Sequence, residues 1–199
     1  MKIYDKLCSA CNGHVSCISR HAAQKLYVID RTKSGKGKVE IHEHEPDLKG
    51  VTVSNPPRIE VYFDNFPERA FKINNRECKK QCEGVIFPCE AEKEEWALFI
   101  ETKYVPDLEH AQKPEANYLQ KATEQIVSTV EHFREKEIIN NDKQVHAIVS
   151  FPLIDGTFDS WAFTAPGQNI DDIRQNHGII IRCTNQATIF SEKIILLGI

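Results

Sequence analysis

The chain is short of several things, and each shortage excludes something. No apolar run approaches the roughly 20 residues that a membrane span needs; Ile194-Ile195-Leu196-Leu197 is among the longest. The opening residues, Met1-Lys2-Ile3-Tyr4-Asp5-Lys6, hold no apolar stretch of the kind that directs export, so a cytoplasmic address is expected. Internal repeats and collagenous or low-complexity tracts are missing, which excludes solenoid and fibrous architectures. Ser150 and Ser160 have no nucleophile-elbow spacing around them, so a serine triad has no support. The Gly-Lys pairs at 35–38 lack the glycine spacing and the following Ser/Thr of a phosphate-binding loop. Charge of one sign is also lacking: 25 Lys/Arg stand against 29 Asp/Glu, so the whole chain is no electrostatic glove for a polyanion.

What is present is the composition of one globular domain, 1–199: 199 residues, 41% hydrophobic and 27% charged. The charge is unevenly spread. Residues 1–38 hold eight Lys/Arg against two Asp/Glu, and the remainder holds 17 against 27. A nucleic acid would meet its best local patch at Arg31, Lys33, Lys36 and Lys38. The same run, broken by Ser34, Gly35 and Gly37, reads better as a solvated loop.

Periodicity orders the chain. Leu7, Cys8, Cys11, Val15, Ile18, Ala22 and Leu26 recur at helical steps and predict a helix over 5–27, with a break at Asn12-Gly13. Residues 31–58 read as strands and turns ending in Asn55-Pro56-Pro57, the best candidate joint. Extended segments follow at 58–63, 70–73 and 83–87. Residues 96–104 open with five apolar residues in a row, as expected of a strand buried on both faces. A long amphipathic helix is expected over about 114–136, with Leu119, Ala122, Ile126, Val130 and Phe133 as its stripe. Strands are then expected at 145–151, 179–182 and 193–197. Strands on either side of such a helix predict an α/β fold, a mixed central β-sheet with flanking helices.

Chemistry concentrates at the end of the buried strand. Glu101 and Lys103, two residues apart, share one face of the sheet. They pair with each other, emerge into solvent at the strand end, or form half of a metal site. If 83–87 and 96–103 form a hairpin, Glu83 comes back beside them, and two carboxylates meet one ammonium. Two carboxylates are hard oxygen ligands for Mg²⁺, which retains waters and takes phosphate oxygens. Such a metal activates water, and a lysine beside it steadies the transition state.

The pattern Cys82-Glu83-Gly84-Val85-Ile86-Phe87 followed by Ala97-Leu98-Phe99-Ile100-Glu101-Thr102-Lys103 resembles the PD-(D/E)xK nuclease superfamily, which includes many restriction endonucleases and defence or repair nucleases. The resemblance covers about residues 58–151 and implies a restriction-endonuclease-like core of helix, three strands, helix and strand. Residues 1–57 would be a helical/β preface and 152–199 a C-terminal β extension. It further implies Mg²⁺, replaceable by Mn²⁺, held by Glu83, Glu101 and the Thr102 carbonyl. Lys103 becomes the catalytic lysine with Glu83 and Glu101, and Gln125 an auxiliary glutamine, with Gln120 a weaker candidate. The family's first acid is usually aspartate and here is Glu83, and its acid from an early helix has no clear counterpart. The implied function is hydrolysis of phosphodiester bonds in DNA, or RNA, in bacterial defence or restriction. A basic protein partner, or the patch at 31–38, would supply attraction that the acidic remainder of the chain does not, and a homo-oligomer is the other partner to expect. The alternative is a non-catalytic nuclease-like interaction module, with the same residues as a structural ion-pair cluster.

Two other clusters carry weaker readings. Cys8, Cys11, His14, Cys17 and His21, with Cys78, Cys82 and Cys89, have spacings compatible with zinc, but Cys8 and Cys11 also fit an apolar helical stripe. Structural zinc is therefore not the expected cofactor. His42 and His44 flank Glu43 and read better as a polar strand face than as ligands.

Overall fold

The computed structural model describes residues 2–10, 17–32, 38–67, 69–74, 76–90, 96–155, 158 and 170–198. Helices α1 (Ile3–Ala10), α2 (Leu108–Ala111), α3 (Tyr118–Glu135) and α4 (Ile170–His177) accompany two β-sheets. The strands are β1 (Ile18–His21), β2 (Lys25–Asp30), β3 (Val39–His42), β4 (Val51–Ser54), β5 (Val61–Asn65), β6 (Gly84–Pro88), β7 (Leu98–Thr102), β8 (Val145–Ser150), β9 (Ile179–Cys183), β10 (Gln186–Ile189) and β11 (Ile195–Leu197). The first sheet has the order β1-β5-β6-β7-β8-β9 and the second β11-β10-β4-β2-β3.

The first sheet begins as an antiparallel meander. Gly84 of β6 pairs with both Asn65 of β5 and Ile100 of β7. β7 and β8 then run parallel, and so do β8 and β9. A parallel pair needs a long crossover, and α3 and α4 lie on those two connections. The stripe of α3, Leu119, Ala122, Ile126, Val130 and Phe133, is buried against one face of this sheet. Phe133 meets Phe99 of β7 edge-on, with ring centroids 5.3 Å apart.

The second sheet covers the opposite face. Leu26, Val28, Val51 and Val53 pack in one cluster with Phe63, Ile86, Leu98 and Ile100 of the first sheet. β7 is thus buried on both sides, Phe99 toward α3 and its neighbours Leu98 and Ile100 toward the second sheet. That is why its sequence is continuously apolar. Asn185 ties the two sheets: its Oδ1 accepts from Ser150 Oγ (2.7 Å) and Phe151 N–H (3.0 Å), and its Nδ2 donates to Phe151 and Ile154 carbonyls. Its own carbonyl accepts the Thr52 N–H (2.8 Å).

The α/β class with mixed sheets agrees with the reading of the sequence, and several details are corrected. The helix expected over 5–27 is replaced in its second half: α1 covers Ile3–Ala10, Ile18–His21 pairs antiparallel with β5, and Lys25–Asp30 is a strand of the second sheet. Long-range pairing overrides the local period there, and Asn12-Gly13 lies outside the described residues. Residues 70–73 form no strand, only a bridge between Lys72 and Cys78. The single sheet expected is two, because β2, β3 and β4 pair with β10 and β11 instead of joining the meander. The C-terminal part is divided: β9 extends the first sheet, and β10 and β11 complete the second. Asn55, at the expected joint, is fully buried and binds Ala23 and Ile59 backbone atoms, so it is a locked corner. Among the described residues, no helix is long and apolar enough to cross a membrane.

Candidate functional site

The β6–β7 pairing and α3 together assemble one end of the first sheet. Glu83 directly precedes β6, and its N–H donates to the Ile100 carbonyl (3.0 Å), so it leaves the strand beside Glu101. On the other side, only glycine permits the close approach of β5 at position 84, where a Cβ would stand 2.7 Å from the Asp64 carbonyl oxygen. α3 grips the residues just before Glu83. The Cys82 N–H donates to Thr129 Oγ1 (2.9 Å), and Gln125 Nε2 donates to the Gln81 carbonyl (2.8 Å).

Glu101 is 2% exposed. Lys103 Nζ forms an ion pair with its Oε1 and donates to Gln125 Oε1 at 2.9 Å. Lys103 is thereby held between β7 and α3, and its own N–H donates to the Ser150 carbonyl of β8 (2.8 Å). Thr102 is buried and lines the same cleft. The cleft encloses about 1060 Å³ and brings Glu83, Glu101, Thr102, Lys103, Gln81 and Gln125 to one wall. Asp30, Lys38, His42 and His21 also line it.

The electrostatics of this wall favour a cation. Burial, then the neighbouring carboxylates of Glu101 and Asp30, push the Glu83 carboxyl well above the usual range, while the Thr102 side chain and then Lys103 pull the other way. Burial pushes Glu101 up to about 7 even though Lys103 opposes it. Oε2 of Glu83 and Oε2 of Glu101 are both shut off from solvent without a hydrogen-bond partner. Two hard, unpartnered carboxylate oxygens from residues lining one cleft are of the kind a divalent ion takes. Among the described residues, no three His, Cys, Asp or Glu side chains are drawn together as a ready-made ion cage. A two-carboxylate site suits Mg²⁺, which keeps several of its waters.

The sequence-predicted residues Glu83, Glu101, Thr102, Lys103 and Gln125 thus share one cleft. Gln120 does not join them; it donates to Glu124 on the same helix (3.0 Å). Of the basic patch, only Arg31 and Lys38 are among the described residues. Arg31 is committed to Glu40 (3.1 Å) and Asp47 (2.6 Å), Lys38 is at the cleft, and Lys33 and Lys36 lie outside the described residues. Of the zinc candidates, Cys11 and His14 lie outside the described residues, and Cys8, Cys17, Cys78, Cys82 and Cys89 are unbridged thiols. His42 pairs with Glu40 (3.1 Å), and His44 is exposed.

Sequence reasoning passed over three groups. Thr129 and Gln81 carry no motif and act only through α3. Asp30 ends the apolar strand Leu26–Ile29 just as Glu101 ends Leu98–Ile100, and that shared pattern was the available signal. No known protein family, curated protein or solved structure matches the chain.

Proposed function

We propose that this chain is a divalent-metal-dependent nuclease that hydrolyses phosphodiester bonds of DNA, with RNA as the second substrate class, on a PD-(D/E)xK-like core. The observation that carries the reading is the convergence of Glu83, Glu101, Lys103 and Gln125 in one cleft, with Oε2 of both glutamates buried and unpartnered. The order β5, β6, β7, α3, β8, with an antiparallel meander and then a parallel strand, supports it further. The biological setting that the resemblance suggests is defence or restriction.

Mg²⁺ held by Glu83 and Glu101 would supply an acidified water and neutralise charge on the phosphate. The protein's own groups do the rest. Gln125 and Glu101 hold the Lys103 ammonium at the site, where it donates a hydrogen bond to the attacking water or a phosphate oxygen. The buried position of Glu101 lowers the local dielectric and strengthens each of these contacts. Gln125 also fixes the Gln81 carbonyl, so one side chain orders both the lysine and the approach to Glu83.

The direct Lys103–Glu101 ion pair also fits a second reading, an interaction module whose site is neutralised internally. Cleavage separates the two. The protein is incubated with plasmid, linear duplex, single-stranded DNA and RNA in Mg²⁺, Mn²⁺ or EDTA, beside Lys103→Ala and Glu101→Gln. Metal-dependent cleavage reduced about 10²–10³-fold in both folded variants is the expected result. No cleavage of any substrate, together with no Mn²⁺ binding by calorimetry, refutes the nuclease.

A further inference from the structure

The second sheet contributes a carboxylate to the cleft besides the two of the Glu83 and Glu101 pattern, and it comes from the end of a strand, not from an early helix. Asp30 is the last residue of β2 and continues the inner face of Leu26 and Val28, which pack against the first sheet. It is 6% exposed and lines the same cleft as Glu83, Glu101 and Lys103. Its negative charge helps to push both glutamate carboxyls upward. A buried acid costs free energy unless something positive faces it, and no ion pair is formed by Asp30 among the described residues.

Its placement is built. Asp30 Oδ1 accepts the Thr32 N–H (2.7 Å), which fixes the carboxylate in a tight turn. Its N–H makes a long contact with the Tyr104 hydroxyl (3.4 Å), which itself donates to the Lys49 carbonyl (2.8 Å). Tyr104 directly follows Lys103, so the end of β7 and the end of β2 are tethered to each other.

We propose that Asp30 is a positioning residue of the cation site: it holds, through a metal-bound water, the divalent ion carried by Glu83 and Glu101, and so makes the second sheet part of the site. The inference rests on the metal-site reading above. Asp30 acts through water because it does not close a three-carboxylate cage with the two glutamates. Mg²⁺ and Mn²⁺ keep bound waters, and carboxylates that accept hydrogen bonds from such shells change metal affinity by roughly 10–100-fold when altered.

The test is Mn²⁺ calorimetry on the full chain, without substrate. Asp30→Asn removes the charge and keeps the oxygen that accepts from Thr32. Asp47→Asn removes an equivalent charge at the exposed Arg31 pair of the same sheet, and Glu101→Gln reports on the site itself. The expected result is that Glu101→Gln abolishes binding, Asp30→Asn weakens it about tenfold or more, and Asp47→Asn leaves it unchanged. If Asp30→Asn does not fold, Asp30→Ser keeps an oxygen acceptor and replaces it. Binding abolished by Glu101→Gln yet unchanged by Asp30→Asn overturns the role of Asp30 and leaves the metal site standing. Equal weakening by Asp30→Asn and Asp47→Asn overturns it too, because a general charge effect then explains the loss. Binding unaffected by Glu101→Gln, or absent in the unaltered protein, overturns the metal-site reading itself.

Discussion

Asp64 is fully buried on β5, and neither of its carboxylate oxygens has a hydrogen-bond partner. Burial alone pushes its pKa from 3.8 up to about 8. Below the lower value, folded and unfolded chains are both protonated at this group, and burial carries no charge penalty. Between the two values only the unfolded chain releases the proton. Stability is therefore lost as pH rises, by about 1.4 kcal/mol per unit, until about pH 8. From pH 5 to pH 7 the loss is about 3 kcal/mol. Asp64→Asn preserves the shape and cannot ionise. Its buried amide adds a constant offset, so the slope and not the offset is the signal. Urea unfolding of both proteins from pH 4 to pH 9 at fixed ionic strength measures it. The variant should gain about 3 kcal/mol on the unaltered protein between pH 5 and pH 7 and level off above pH 8. Glu83 and Glu101 titrate in both proteins and cancel in the difference. A difference that stays flat across this range would show that Asp64 is solvated or partnered, and the argument from burial would fail.

Two further outcomes test the fold and the site. Asn185→Ala removes four side-chain hydrogen bonds that join Ser150, Phe151 and Ile154, and should cost about 3 kcal/mol in urea unfolding; a loss below about 0.5 kcal/mol would deny its role as the tie between sheets. The raised carboxyls of Glu83 and Glu101 must release protons to hold a cation, so Mn²⁺ affinity should climb with pH up to and through about 7. Calorimetry in two buffers of different ionisation heats would report the released protons, and identical heats would contradict it.

The sequence by itself determined the elements whose burial is local and periodic. The stripe of α3, the double-sided burial of β7 and the Glu101-Thr102-Lys103 strand end are legible because each is written in one continuous segment. Glu83 was legible too, since a hairpin between neighbouring strands leaves little choice of partner. Only the tertiary structure decided the rest. The stretch around Ile18 and Leu26 obeys a helical period, yet pairing with β5 and β4, far along the chain, makes it strand. The second sheet joins segments near residues 25–54 to segments near 186–197, and no local pattern announces a pairing of that range. Asp30 on the second sheet reaches the cleft, and Thr129 on α3 reaches the backbone just before Glu83, through this long-range packing. A strand-end acid such as Asp30 can be read in the sequence, but which groups it and Thr129 meet is a property of proximity that spacing does not encode.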